Sequence, residues 1–548
     1  MSFYCKTPDI IIRNGKILDG TGKPGYYADI AVIGDKIDYI GDLRGVYGKL
    51  EIDASGKYVT PGFIDSHTHS DQTIWANPEA QSAVRQGVTT EIVGNCGLSM
   101  RTSLEEDQYD KKSQGVDCVY NLPGPTYPKG SLAATLDKME QMGASINTAW
   151  LCGHNDLRIM AGLHTQEYTE EQFQIMAGFL REAMEAGFIG LSTGLEFAPG
   201  MVSHPEEVER LASIVAEYDA NYSSHMRDEG TYILEAIEEF LDVIRKTGLR
   251  GTVSHLNVKY DNGIPNEYLQ KGMQILWDAR EKEHLNVYAD MLPTCFSSGL
   301  ALAILPPWLY AEGWENARKI LADPEGRERV KADLCRYWRF LAYGQWERLL
   351  YIQPPYMPQI STIPFMELVK ESGKEPVDYF LDVMQAAPTM KDVELCMIQG
   401  TVFHEQTMID SVVKHPIYMW MTDSSCTVEE GPQATGAANI QNYMSMTYFF
   451  AHYVRDLGAI PIEKALMKVS SIPAQHYQLR KRGVLAEGYY ADINVFALDD
   501  LKIHATFAEP NKYCSGMDYV IVNGIPVIAD GEHTGQRAGK VLRHKASI

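Results

Sequence analysis

No apolar run in this 548-residue chain reaches the ~18 residues that a membrane-crossing helix needs. The first nine residues lack the basic-then-apolar layout of a secretory leader, so a cytoplasmic location is the expectation. Cysteine is sparse. There are nine, an odd number without framework spacing, which suits a reducing compartment rather than a disulfide scaffold. Positive charge is short, with 49 Lys and Arg against 72 Asp and Glu. The net charge of -23 argues against a nucleic acid or an anionic membrane as partner. It leaves a small-molecule substrate open, because the local field of a metal pocket can oppose the global one. Internal repeats and low-complexity tracts are absent, and a homo-oligomer is left open. What remains is an ordinary globular composition, 45% hydrophobic and 10% aromatic, in a chain long enough for more than one domain.

The two ends of the chain read alike. Residues 9–18 carry an Asn14-Gly15 hairpin signal between apolar runs, and residues 28–37 follow in the same style. Residues 491–496 and 519–527 are again strand, turn, strand. These ends are expected to meet in one small β-sandwich, from 1–60 and 481–548. The middle, 61–480, alternates strand and helix. Thr169 to Gln172 is a capping box, followed by Phe173, Met176, Ala177, Leu180, Ala183 and Met184 at helical spacing, with Gly187 as the stop. Helices are also expected near 206–218, 231–247 and 270–283. About eight strands separated by helices predict an α/β fold, a (β/α)8 barrel of the TIM type. Residues 295–408 are too long for one barrel unit and read as an insertion, with helices near 314–321 and 324–341.

The chemistry gathers at strand ends. Gly62-Phe-Ile-Asp-Ser-His67-Thr-His69-Ser-Asp71 places two imidazoles two positions apart after an apolar run, so they point the same way. Cys96 closes strand 2, His154 strand 3, His225 strand 5, His255 strand 6 and Asp423 strand 8. Taken singly, each has an ordinary explanation as a packed or turn-forming residue. Together they end strands whose ends meet on one face of a barrel. Imidazole, thiolate and carboxylate as a set suit zinc. Only Asp423 among these could both accept a proton from water and pass it on. Arg227 and Glu229, just past His225, read as an ion pair or as supports of the ligands.

This order of residues resembles the amidohydrolase superfamily, and most closely its D-aminoacylase (N-acyl-D-amino-acid deacylase) branch. The resemblance runs from about residue 10 to the end. It rests on the His67/His69 motif, Gly94-Asn-Cys96-Gly97, Gly153-His-Asn-Asp-Leu-Arg158, Ser192-Thr-Gly-Leu-Glu196, His225-Met-Arg-Asp-Glu-Gly230 and Ser254-His255-Leu256. It implies a catalytic barrel with zinc held by Cys96, His225 and His255. A second, weaker or empty metal position would be completed by His67, His69 and Asp423. Asp423 would be general base and then acid, and the reaction would be hydrolysis of a linear amide. Opening of a cyclic, hydantoin-like amide is the alternative, and a non-catalytic binding relative is a third reading. The substrate side departs from the branch. Where relatives carry Lys, Tyr and Arg for a substrate carboxylate, this chain has Asn257, the Leu292/Thr294 pair and Gln433. His154, Asn257, Lys259, Leu292 and Gln433 are therefore the candidate substrate residues, with Lys259 or Arg158 as replacement anchors. The expected preference is for an amide without a free α-carboxylate.

Overall fold

Eight short, mostly buried segments form one parallel sheet. They are β1 (Phe63–Asp65), β2 (Val88–Val93), β3 (Asn147–Gly153), β4 (Gly190–Gly194), β5 (Asn221–His225), β6 (Arg250–Val253), β7 (Val287–Met291) and β8 (Tyr418–Trp420). The structure is a computed structural model that describes residues 6–99, 131–196, 198–258, 267–334, 338–403, 405–431 and 439–544. The strands neighbour one another in chain order from β1 to β8. The last gap closes through a parallel bridge between Thr68 and Ser424. Beside it, His69 N–H donates to Ser424 O at 2.7 Å and Asp423 N–H to His67 O at 3.1 Å. β2 and β3 are buried along their whole length. Burial on both faces is what a parallel sheet covered by helices requires, and it explains the continuous apolar runs.

The covering helices follow the sequence pattern. α1 (Glu170–Ala186) begins in the Thr169/Gln172 capping box and ends at Gly187, whose φ of 101° is the left-handed stop. Its buried face is the apolar set read from the spacing. α2 (Pro205–Ala216), α3 (Ile233–Thr247) and α4 (Glu267–Glu281) complete the neighbouring units. Among the described residues, no helix is long and apolar enough to cross a membrane.

Between β7 and β8 lies an antiparallel sheet with Met397–Thr401 at its centre, flanked by Phe296–Leu300 and Leu349–Gln353. The helix expected over 324–341 stops at Ala332, and a separate turn forms at Arg339–Ala342. Trp338 and Phe340 are both buried. Two positions apart, they cannot share one helical face.

Strands from the two chain ends share a nine-stranded sheet, joined where Tyr58–Pro61 pairs antiparallel with Ile493–Phe496. The Asn523-Gly524 pair turns a hairpin, with φ of 49° and 78°. The similar Asn14-Gly15 pair does not. Strand Ile10–Ile17 runs straight through it, with a bulge between Ile12 and Gly15. Asn14 takes φ 61°, and its N–H is claimed by Asp29 Oδ1 at 3.0 Å, so the local turn preference yields to a long-range bond.

Candidate metal centre

The six residues expected to hold metal stand at or just beyond the C-terminal ends of β1, β2, β5, β6 and β8. His67 Nε2 is 3.2 Å from Cys96 Sγ and 3.5 Å from Asp423 Oδ1. His69 Nε2 is 3.3 Å from Asp423 Oδ1, and His255 Nε2 is 3.5 Å from Cys96 Sγ. The His225 and His255 rings meet edge-on with centroids 4.5 Å apart. Cys96, His255 and Asp423 all take left-handed backbone, with φ of 53°, 34° and 51°. Such a residue other than glycine costs about 1–3 kcal/mol, and the cost is tolerated where a site needs the side chain aimed.

Among the described residues, three groups of donors lie close enough to share an ion. They are His67, Cys96 and His255; His67, His69 and Asp423; and His225, Glu229 and His255. His67 thus faces both the thiolate and Asp423, rather than only the second position. His225 joins through His255 and Glu229.

Carboxylates back the rings. His255 Nδ1 lies 2.6 Å from Glu229 Oε1, and His67 Nδ1 lies 3.4 Å from Asp290 Oδ2. Glu196 Oε2 is 3.0 Å from His225 Nε2. Leu195 N–H bonds to His225 O at 3.0 Å, which carries the chain past β4 and turns Glu196 inward. Carboxylates behind metal-binding imidazoles fix their tautomer and raise their basicity.

Burial pushes the Cys96 thiol up, but His67, His225 and His255 outweigh it and hold the thiol well below its ordinary value. Burial lowers His67, and the charges of Cys96 and Asp290 reverse this and raise it well above normal. By the same balance, His69 rises to about 9 through Asp423 and Cys96, and His255 to about 10 through Glu229 and Cys96. Burial would raise Asp423, yet His69, His67 and His255 keep it well below the usual carboxylate range. The cluster therefore holds its anions ionised by holding protons on its imidazoles. A dication can take the place of those protons. A soft thiolate with several imidazoles fits zinc better than magnesium or calcium.

The substrate-side residues are placed differently. His154 follows directly on Gly153, the last residue of β3. It is the first residue of a short helix, fully buried, with Nε2 2.7 Å from Glu207 Oε1 on α2. Glu207 also receives both contacts of Arg158 Nη1, at 2.7 and 2.6 Å. Arg158 is thus committed to a buried ion pair with Glu207, and His154, whose pKa burial lowers, to a hydrogen bond with the same carboxylate. Arg158 is removed as a replacement anchor. Arg227 pairs with Glu239 at 2.8 Å rather than with Glu229. Asn257 is buried, and its Nδ2 lies 3.9 Å from Met291 Sδ and 3.8 Å from Met408 Sδ. Leu292, next to Met291 in sequence, is buried, and Thr294 Oγ1 accepts from Gln441 Nε2 at 2.9 Å. Lys259 and Gln433 lie outside the described residues. Sequence reasoning missed Glu196 and Asp290 as neighbours of the imidazoles, although Glu196 stands in a motif it had marked.

Comparison with known proteins places this geometry. A model of the amidohydrolase family matches residues 50–258 and 398–528. A D-aminoacylase of Alcaligenes xylosoxydans xylosoxydans is 29% identical over 541 residues, covering 98% of each chain. The structure of an N-acyl-D-glutamate deacylase from Bordetella bronchiseptica, complexed with zinc and a phosphonate mimic of the tetrahedral intermediate, superposes with a TM-score of 0.79. It is 27% identical, over 98% of this chain and 100% of that one. A D-aminoacylase described for its binuclear metal centre, with one-metal activation and second-metal attenuation, gives a TM-score of 0.77 at 26% identity, over 98% of this chain and 99% of that one. With the matched segments spanning more than half its length and the strand-end cluster in place, the chain belongs to the amidohydrolase family.

Proposed function

We propose that the chain is a zinc-dependent hydrolase of a linear amide, built like the N-acyl-D-amino-acid deacylases, whose preferred substrate lacks a free α-carboxylate or presents it elsewhere. The observation that carries the reading is the convergence of Cys96, the four imidazoles and Asp423 on one barrel face. Cys96, His225 and His255 would hold the principal zinc, with His67, His69 and Asp423 as a second position. When bound, the metal supplies positive charge that polarises a carbonyl and acidifies water. Asp423 lies beside both groups, and its Oδ1 faces His67 and His69 at 3.5 and 3.3 Å. Held ionised by these neighbours, it accepts the proton of the attacking water and returns it to the departing nitrogen.

The substrate half rests on Asn257. A carboxylate entering a barrel loses its water, which costs several kcal/mol unless charge or hydrogen bonds replace it. Asn257 offers an uncharged amide between two thioethers.

The test is a panel of N-acyl-D- and N-acyl-L-amino acids, their neutral amides and cyclic amides on zinc-loaded protein, repeated with Asp423→Asn. Linear amide hydrolysis should fall at least about 10²-fold in the variant, as for a positioned acid–base group, while zinc is retained. Near-normal kcat in the variant would move the base elsewhere. Turnover of cyclic amides alone would select the ring-opening alternative.

A further inference from the structure

Asp290 belongs to β7 and is fully buried, and its two oxygens reach two different members of the cluster. Oδ1 accepts the backbone N–H of His255 at 2.7 Å. That bond pins His255 in its left-handed conformation, φ 34°. Oδ2 lies 3.4 Å from His67 Nδ1. Both of those atoms are buried and make no other hydrogen bond among the described residues, so this close approach is the contact each has. The opposite nitrogen, His67 Nε2, faces Cys96 Sγ at 3.2 Å and Asp423 Oδ1 at 3.5 Å. A neutral imidazole that keeps its proton on Nδ1, toward a carboxylate, presents a lone pair at Nε2.

We propose that Asp290 is a positioning residue that sets the tautomer of His67 and the backbone of His255 together, so that one carboxylate aligns both halves of the metal centre. His67 belongs to the groups containing Cys96 and Asp423, and His255 to the groups containing Cys96 and Glu229. Asp290 is the carboxylate whose separate oxygens meet both. The inference rests on the reading of the cluster as a zinc site.

Asp290→Asn separates the two roles. The amide oxygen can still accept from His255 N–H, but the amide NH2 turned toward His67 Nδ1 forces the ring proton onto Nε2. Asp290→Ala removes both contacts. Zinc stoichiometry and chelator competition are measured on wild type and both variants. In D290N, the zinc of the His67, His69, Asp423 group should bind about 10–100-fold more weakly, with one tight equivalent retained. In D290A both equivalents should weaken. In cobalt-loaded protein the thiolate-to-cobalt absorption should persist in D290N and diminish in D290A. Wild-type affinity in D290N, or equal weakening of both equivalents in D290N, overturns the proposal. Should D290N not fold, histidine-15N NMR of zinc-loaded wild type decides it. A proton on His67 Nδ1 is expected, and metal on Nδ1 overturns it. A wild-type protein that takes up no zinc overturns the zinc reading as well, whereas wild-type uptake with an unaltered D290N overturns this inference alone.

Discussion

At the residue scale, electrostatics and backbone agree on which side chains are special. Cys96 is aimed by a left-handed backbone and kept as an anion by three imidazoles. Cys96→Ala should therefore lose most zinc in elemental analysis of freshly purified protein, and more than His69→Ala, whose nearest anion is Asp423. Equal losses would reverse the ranking of the two positions. Beneath the cluster, Glu91 is a fully buried acid on β2, pushed to about 8 by burial and then by Asp65, with Cys426 Sγ 3.7 Å away. The folded protein keeps that proton, whereas the unfolded chain releases it near 4.5. Between those values the folded state binds more protons, so this group lowers stability as pH rises, by at most about 1.4 kcal/mol per pH unit. Glu91→Gln should flatten the loss between pH 5 and 8. Denaturant midpoints with the same pH slope in both proteins would refute the assignment.

At the scale of elements, legibility followed locality. α1 was readable because its cap, its apolar stripe and its glycine stop all lie within nineteen consecutive residues. The candidate ligands were readable because each stands at or just past a strand end, and parallel strands bring such ends to one face. The misread elements depend on distant partners. Asn14-Gly15 carries the same turn signal as Asn523-Gly524, yet Asp29 across the sheet decides its fate. His154 does stand at the end of β3, but its partner Glu207, 53 positions away, is what local sequence could not reveal. The three-stranded sheet of the insertion joins segments about a hundred residues apart, which periodicity does not reveal. That sheet follows directly on β7, where Met291 and Met408 flank Asn257. Asn257→Lys should shift preference from neutral amides toward N-acyl amino acids in ratios of kcat/KM. An unchanged ratio, or good activity of wild type on simple N-acetyl-D-amino acids, would show that the carboxylate is held by some other group.

At the scale of the whole molecule, the chain is tied end to end. Arg482 is buried with Asp492 and donates to Asn523 Oδ1 at 2.7 Å, and Asn523 Nδ2 reaches Asn147 Oδ1 on β3 at 2.8 Å. Val541 then bridges to Thr148 of the same strand. The end sheet is thereby locked to the barrel wall at β3, besides running directly into β1 through Gly62. The closure is narrow. Between β1 and β8 it rests on the Thr68–Ser424 bridge, the backbone bonds beside it and Asp65, which accepts from Thr422 N–H at 3.1 Å and Oγ1 at 2.6 Å. His67 and His69 stand on one lip of that seam and Asp423 on the other. An ion shared by them would act as a clasp, stabilising the closed form by RT ln(1 + [L]/Kd). Without it, the seam is where the barrel should breathe first. Backbone amides of residues 67–70 and 421–426 should exchange with deuterium faster in chelated protein than in zinc-loaded protein, with the end sheet indifferent to the metal. The ion that serves the chemistry would then also keep the barrel shut, and starvation for zinc would open the enzyme along one line before it unfolded anywhere else.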